Sequence, residues 1–458
     1  MAVQLTVPVS TEVIEGNPDC KIYGVYEGGR VVIVVDTRHQ HHHQRLGVST
    51  KTALHWGQEH EYEVQELSGM AWPIRYRVLS RDGYYLDGQG QRVHFTTAAT
   101  GLDSHRKVSL VLMRAAVMLV VIAGAGFRKT AWLLEQLFQV EVSKSALQRW
   151  IEEIAAGLPD GDEMIRRLHA QLPITEAHFD EWFPKGTKDC VLVLRDEHGR
   201  IVATRAVDQR DEETVKPFLQ RLRQLGLPFQ TFYIDGCKAY YNAIRAVFGN
   251  TVRIQYDYFH IIQHAWRQLW KWAVAHRRGL KERSEEVITP WYKKKLEALA
   301  RSLWEHRYLL FKAEERLSEE EKAQLLQLLE ADQKIGRLRA FLGGIWHLFE
   351  DSEDQAQARA ALAALKRQPT DRHHPEPFQK VITFLEEHFE WMTAFLKYPE
   401  VKRNSLAETG MRTLRRLEVD HDGFRSDKGR DNVIRIYQAV KYLGWSVHHP
   451  PPELVNSA

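Results

Sequence analysis

Cysteine is scarce in this chain, one-sided charge is nearly absent, and no apolar run is long. The three cysteines among 458 residues, Cys20, Cys190 and Cys237, are odd in number and far apart. They form neither a disulfide framework nor a Cys-x-x-Cys zinc pair, which fits a reducing, intracellular setting. A formal net charge of +3 predicts no partner by itself. The one apolar stretch of note, Leu110 to Phe127, is interrupted by Arg114. It leaves about a dozen uncharged residues where a membrane span needs roughly 20, so a buried helix is expected and no membrane. The N-terminus has no basic stretch leading into an apolar core, so no signal peptide is read and a cytoplasmic location is expected. What is present is ordinary: 44% hydrophobic and 27% charged residues describe a globular chain. Its length allows about two to four domains.

Residues 1–100 read as a β-rich domain. Val31 to Val35, Ile74 to Val78, Gly83 to Leu86 and Arg92 to Phe95 are strand candidates, with turn signals at Asp82-Gly83 and Asp87-Gly88. His39-Gln-His-His-His43 reads as a solvated loop, because no carboxylate or cysteine joins it at ligand spacing. Residues 105–160 change to helical periodicity. A helix from Ser109 to Ala123, a second from Phe127 to Phe138 and a third from Ser143 to Ile154 frame a tight turn at Glu141-Val142. In the third helix Leu147, Trp150, Ile151 and Ile154 form the apolar stripe, and Lys144, Gln148 and Arg149 lie off it. This is a helix-turn-helix pattern, with Lys129, Lys144, Gln148 and Arg149 as the expected DNA contacts. Gly124 to Thr130 lacks the spacing of a phosphate-binding loop.

From residue 172 to 260 the pattern is α/β. A strand from Ile174 to Trp182 carries Asp180, and Cys190 to Leu194 and Ile201 to Val207 flank a hairpin turn at Asp196 to Gly199. An amphipathic helix from Glu212 to Leu225 leads to the strand Thr231 to Ile234 and Asp235. This order is that of a ribonuclease-H-like core, in which the acids of the first and fourth strands meet at one end. Residues 261–398 are almost wholly helical, with Trp266 and Trp270 at core-like spacing; the alternative for Trp266, Trp270, Trp272 or Trp346 is stacking on a flipped base. A capped helix is expected from Ser318 to Leu329 and a loop from Gln368 to Pro377. Residues 399–448 are basic, with Arg412, Arg415, Arg416, Lys428 and Arg430 following Glu408 on helical spacing, and 449–458 are a tail.

A two-metal phosphodiester site needs carboxylates on rigid strand ends, completed by an acid from elsewhere, to hold ions about 3.5–4 Å apart. Asp180, Asp235 and Glu408 offer that arrangement. His178-Phe-Asp180-Glu, Tyr233-Ile-Asp235-Gly, Asp257-Tyr-Phe-His260 and Asn404-Ser-Leu-Ala-Glu408 together resemble a DDE transposase of bacterial insertion sequences, of the mutator-like group or a neighbouring family. The resemblance spans about residues 172–445. It implies a ribonuclease-H-like catalytic core interrupted by an all-α insertion, with Asp180, Asp235 and Glu408 as catalytic metal ligands for two Mg²⁺ (or Mn²⁺) ions. It places Asp257, His260, Arg412 and Arg415 near the site or its DNA, and Arg416, Lys428 and Arg430 on DNA. It also implies terminal inverted repeats and target DNA as partners, a homodimer or larger assembly, and a bacterial, nucleoid-associated location. Asp257 has a second reading as the cap of the following helix.

Two other readings are weighed: a catalytically silent domesticated DNA-binding protein, and a ribonuclease-H-like nuclease. A glycosidase pair of Asp180 and Glu181 is disfavoured, since neighbours on a strand point to opposite faces.

Overall fold

The computed structural model describes residues 13–447 and 449, apart from 15–16, 18–19, 28–29, 39–41, 66–73, 98, 100–101, 103–107, 185–189, 368–373, 405, 421–423 and 425. The chain divides into two compact units, one of residues 1–173, 182–189 and 411–458 and the other of residues 174–181 and 190–410.

The first unit opens on a sheet of β1 (Lys21–Glu27), β2 (Arg30–Asp36), β3 (His55–Gln65), β4 (Ile74–Leu86) and β5 (Arg92–Thr96). Its order is β1-β2-β4-β3, with β5 also on β4. The apolar run Val31, Ile33 and Val35 buries against Val64, Tyr76, Val78 and Leu102. Two details differ from the sequence reading. β4 runs unbroken through Asp82-Gly83, where a turn is expected, and β3 is a strand with no clear apolar alternation. Gly83 is a strand glycine because a Cβ there would lie 2.5 Å from the Phe95 ring and 2.9 Å from the His55 carbonyl oxygen. Of the histidine cluster, His39 to His41 lie outside the described residues. His42 begins a short helix, His42–Arg45, and is buried.

Helices α1 (Leu110–Val121), α2 (Phe127–Phe138), α3 (Lys144–Gly157) and α4 (Gly161–Gln171) follow. In α1, Arg114 is buried and donates to the Val447 carbonyl, so the charge within the apolar run is satisfied inside the protein. α2 ends on Gln139 in the left-handed region (φ 55°), and Ser143 caps α3 by accepting from the Ala146 N–H at 3.1 Å. Leu147, Trp150, Ile151 and Ile154 are the buried face of α3. The last helix, α14 (Asp427–Tyr442), packs on α1, α3 and α4. Its Arg435 donates to the Leu158 and Pro159 carbonyls at the end of α3.

The second unit holds β6 (Glu176–Trp182), β7 (Cys190–Arg195), β8 (Ile201–Val207), β9 (Thr231–Ile234) and β10 (Arg253–Tyr256). They form one sheet in the order β10-β9-β6-β7-β8. β6, β9 and β10 are parallel, and β7 and β8 are an antiparallel hairpin. α5 (Glu212–Gln224) and α6 (Lys238–Phe248) connect the strands. Further helices carry the chain onward, among them α7 (Tyr258–Glu286), α8 (Pro290–Glu305) and α9 (Glu319–Ala331). After them come α10 (Gln333–Glu350), α11 (Gln355–Arg367), α12 (Glu376–Glu387) and α13 (Ala407–Asp420). Ile261, Leu269, Leu338, Phe341, Phe378 and Val381 belong to one core shared by α7, α10 and α12. Trp270, Trp272 and Trp346 pack against that core, while Trp266 is 37% exposed. Ser318 and Glu321 form a capping box at the start of α9. Pro377 lies in the first turn of α12 rather than in a loop, where its missing N–H costs nothing. Among the described residues no helix is long and apolar enough to cross a membrane.

Candidate active site

β6 is buried from Ala177 to Trp182, and its alternation sorts side chains to two faces. Phe179 packs on Phe218 of α5 and Tyr240 of α6. His178, on the other face, stacks on Tyr233 of β9 at 4.3 Å between ring centroids. Asp180 follows His178 by one pleat and is 7% exposed. Its Oδ1 accepts the Glu181 N–H at 2.8 Å. Asp235 follows the last residue of the neighbouring parallel strand, and its Oδ1 accepts the Cys237 N–H at 3.0 Å. The turn beyond it exists because of Gly236. Its φ is +85°, and a Cβ there would lie 1.8 Å from Cζ of Tyr256.

Oxygens of Asp180, Asp235 and Glu181 all lie within 4.8 Å of one another. The grouping of Asp180 with Asp235 is the one expected from the sequence; Glu181 is not. Glu181 is held by Arg210 Nη1 at 3.0 Å from its Oε1 and by the Tyr240 hydroxyl, which donates to the same oxygen.

Burial pushes the Asp180 carboxyl up to about 7, and the Glu181 and Asp235 carboxylates add to this against the Glu181 N–H and His260. Burial likewise raises Glu181, with Asp235 adding and Tyr240 and Arg210 opposing. Crowded carboxylates, two of them buried, that face one arginine among the described residues must either hold protons or share a cation. An all-oxygen donor set of this kind fits a hard divalent ion.

The third expected acid, Glu408, stands in the first turn of α13; its side chain lies outside the described residues. The segment before it is fixed to the sheet. Lys402 N–H donates to the Tyr233 hydroxyl at 2.9 Å, and Leu406 N–H to His178 Nδ1 at 3.0 Å. Arg195 Nη1 donates to the Leu406 carbonyl at 2.7 Å. Nδ1 of His178 can accept only in the neutral ring, and burial keeps His178 below its usual pKa. Glu408 therefore begins two residues after a backbone anchor on the same strand that carries Asp180.

Asp257 is buried and caps α7, its Oδ1 accepting the Phe259 N–H at 3.0 Å, so its capping role is structural fact. His260, half-buried in the first turn of α7, is near enough to Asp180 to act on its charge. Arg412 and Arg415 follow Glu408 by one and two turns of α13; both, with Arg416, are exposed. Lys129 on α2, Lys144, Gln148 and Arg149 on α3, and Lys428 on α14 are exposed as well. Arg430 is the exception among the expected DNA contacts. It is 3% exposed, with Asp427 at 2.8 Å and Asp431 at 3.2 Å from its guanidinium. A buried, doubly paired guanidinium is not a phosphate contact, and the acids at i−3 and i+1 are the signal that reveals it.

Carboxylates gather at the strand ends, and the family match gives the class: residues 178–428 fit a transposase. The match covers more than half of the chain, which belongs to the ISL3 family of DDE transposases. The resemblance to a DDE transposase thus holds, with ISL3 as the particular family where the mutator-like group or a neighbour is expected. The protein is a DNA transposase, an enzyme of DNA cleavage and strand transfer, and its family works with divalent metal. Among solved structures the chain is similar to the Drosophila P element transposase strand transfer complex. The identity is 13% and the TM-score 0.33, over 78% of this chain and 94% of that one. No curated protein matches.

Proposed function

We propose that Asp180, Asp235 and Glu408 are the acids of a two-metal centre for Mg²⁺ or Mn²⁺, set in a ribonuclease-H-like core with an all-α insertion. The observation that carries this is the convergence of the Asp180 and Asp235 oxygens, with Leu406 anchored to His178 just before Glu408. The strand order β8-β7-β6-β9-β10, hairpin on one side and parallel strands on the other, supports the core, and the helices from α7 to α12 support the insertion. When bound, the ions would activate water or a 3′-hydroxyl and stabilise the leaving oxygen. The chain's own work is positional. Strand ends fix two carboxylates, the Gly236 turn aims one of them, and the burial of Asp180 keeps water from screening its charge. His260 sits where it can bias the charge of Asp180, and Arg412 and Arg415 extend from Glu408 along α13 towards DNA phosphates. The helix-turn-helix of α2 and α3 binds the terminal inverted repeats through Lys129, Lys144, Gln148 and Arg149, and Arg416 and Lys428 add backbone contacts. Two transposon ends are cut together, which calls for a homodimer or larger assembly.

The test is donor-end cleavage with Asp180→Asn, Asp235→Asn and Glu408→Gln, alongside end binding by the same variants. Each variant is expected to lose cleavage by at least about a thousandfold while binding persists. Full cleavage by any one removes that residue from the centre. A wild-type protein that binds ends and never cuts in Mg²⁺ or Mn²⁺ favours the silent, domesticated reading instead.

A further inference from the structure

Glu181 follows Asp180 on β6, and its neighbours place it on the α5–α6 face of the sheet, away from His178 and the Leu406 anchor. Its side chain is 4% exposed, and both of its described hydrogen bonds, from Arg210 and Tyr240, end on Oε1. A carboxylate has roughly four lone-pair sites, so these two bonds leave Oε2 without a described donor. Yet Glu181 presents an oxygen within 4.8 Å of oxygens of both Asp180 and Asp235. A structural Glu–Arg pair has no cause to bring its negative charge up to two further carboxylates, because like charges at that range repel. Strand alternation would separate Asp180 from Glu181 in mid-sheet. Here the strand ends one residue on, at Trp182, and the longer glutamate side chain still brings an oxygen within 4.8 Å of both aspartates.

We propose that Glu181 is a fourth acid of the metal centre, reaching it from the opposite face of the sheet, with Arg210 and Tyr240 as the positioning residues that hold its carboxylate there. This rests on the metal centre proposed above and adds to it. Two divalent ions together need more oxygen ligands than three carboxylates supply, and a fourth acid locked by hydrogen bonds is pre-organised to provide one. Arg210 also offsets part of the charge Glu181 brings, so the cluster can gather before any ion arrives.

The experiment is Mn²⁺ binding to the full-length protein, followed by electron paramagnetic resonance of free Mn²⁺ and by calorimetry, with no DNA and no turnover. Wild type, Asp180→Asn, Glu181→Gln and Tyr240→Phe are compared. Glu181→Gln is expected to weaken Mn²⁺ binding by about tenfold or more, and Tyr240→Phe by a smaller factor, since loss of a residue that orients a ligand costs up to about 10–100-fold. Wild-type affinity in Glu181→Gln with a clear loss in Asp180→Asn overturns the fourth acid and leaves the triad standing. Unchanged affinity in both overturns the metal centre and this inference with it. Should Glu181→Gln not fold, Glu181→Asp keeps the charge but withdraws the carboxylate by one methylene. It too should lose affinity, and wild-type binding by it overturns the inference.

Discussion

Replacing Gly236 by Ala adds one methyl group immediately after Asp235, at a point with no room and the wrong backbone angle for it. The angle is φ +85°, where an L side chain costs about 1–2 kcal/mol. The new Cβ would lie 1.8 Å from Cζ, 2.1 Å from the hydroxyl and 2.2 Å from Cε1 of Tyr256. That ring cannot swing freely: Tyr256 is 4% exposed and packs edge-on against Phe384 at 5.8 Å. Overpacking of this kind costs about 1–3 kcal/mol, so the total loss of stability should be about 2–5 kcal/mol. The catalytic loss should be larger than the folding loss. The cheapest relief is for the turn to shift, and a carboxylate misplaced by about 1 Å can cost on the order of a hundredfold in rate. Urea denaturation and donor-end cleavage measure the two separately. The steric part has its own check, because Tyr256→Leu removes the three clashing atoms. In a double-mutant cycle Gly236→Ala with Tyr256→Leu should be about 1–3 kcal/mol more stable than the sum of the single changes. Stability within about 0.5 kcal/mol of wild type together with normal cleavage would refute the reasoning.

Two further variants separate structure from recognition. Arg430→Ala should lower stability by about 1–3 kcal/mol in thermal denaturation, since it strips a buried guanidinium from Asp427 and Asp431. The salt dependence of its DNA binding should match wild type, and a reduced salt slope would return Arg430 to the DNA contacts. Arg149→Ala should instead leave stability alone and weaken specific end binding by about 1–3 kcal/mol, as loss of a base-edge contact does. Unchanged affinity at fixed salt would make α2 and α3 a packing unit only.

What was legible in the sequence depended on whether a local signal decided the outcome. The Asp196 to Gly199 hairpin, the apolar stripe of α3 and the Ser318 cap are set by neighbours within a turn or two, and they stand where periodicity puts them. Asp180 and Asp235 were legible because each sits at the end of a buried apolar strand. Gly83 misled because a glycine after an aspartate signals a turn. The fact that decides it, the Phe95 ring across the sheet, belongs to another strand. Glu181 entered the sequence reading only as a glycosidase partner of Asp180, and no local signal shows that its carboxylate comes within 4.8 Å of those of Asp180 and Asp235. Arg430 was misread for the opposite reason: its partners were in plain view, and counting basic residues hid them.

The proposed third acid, Glu408, shows most clearly why sequence distance says little about this site. Glu408 lies 228 positions from Asp180, with helices α5 to α13 all begun between them. Closing so long a loop by chance carries an entropic cost that grows only slowly with its length. The chain does not leave the closure to the acid itself. Tyr233 and His178 accept backbone N–H groups of Lys402 and Leu406, and Arg195 takes the Leu406 carbonyl, from three different strands of one sheet. These are hydrogen bonds to backbone, so they fix the path of the segment whatever its side chains are. Once Leu406 is seated, only one residue separates it from Glu408, and helix geometry does the rest. Loop closure is thus met by residues that need no metal, which leaves the acids free for the metal-binding role proposed for them. The helical segment can then change in length with little effect on the centre, so long as the segment from Lys402 to Leu406 still reaches the rim of the sheet.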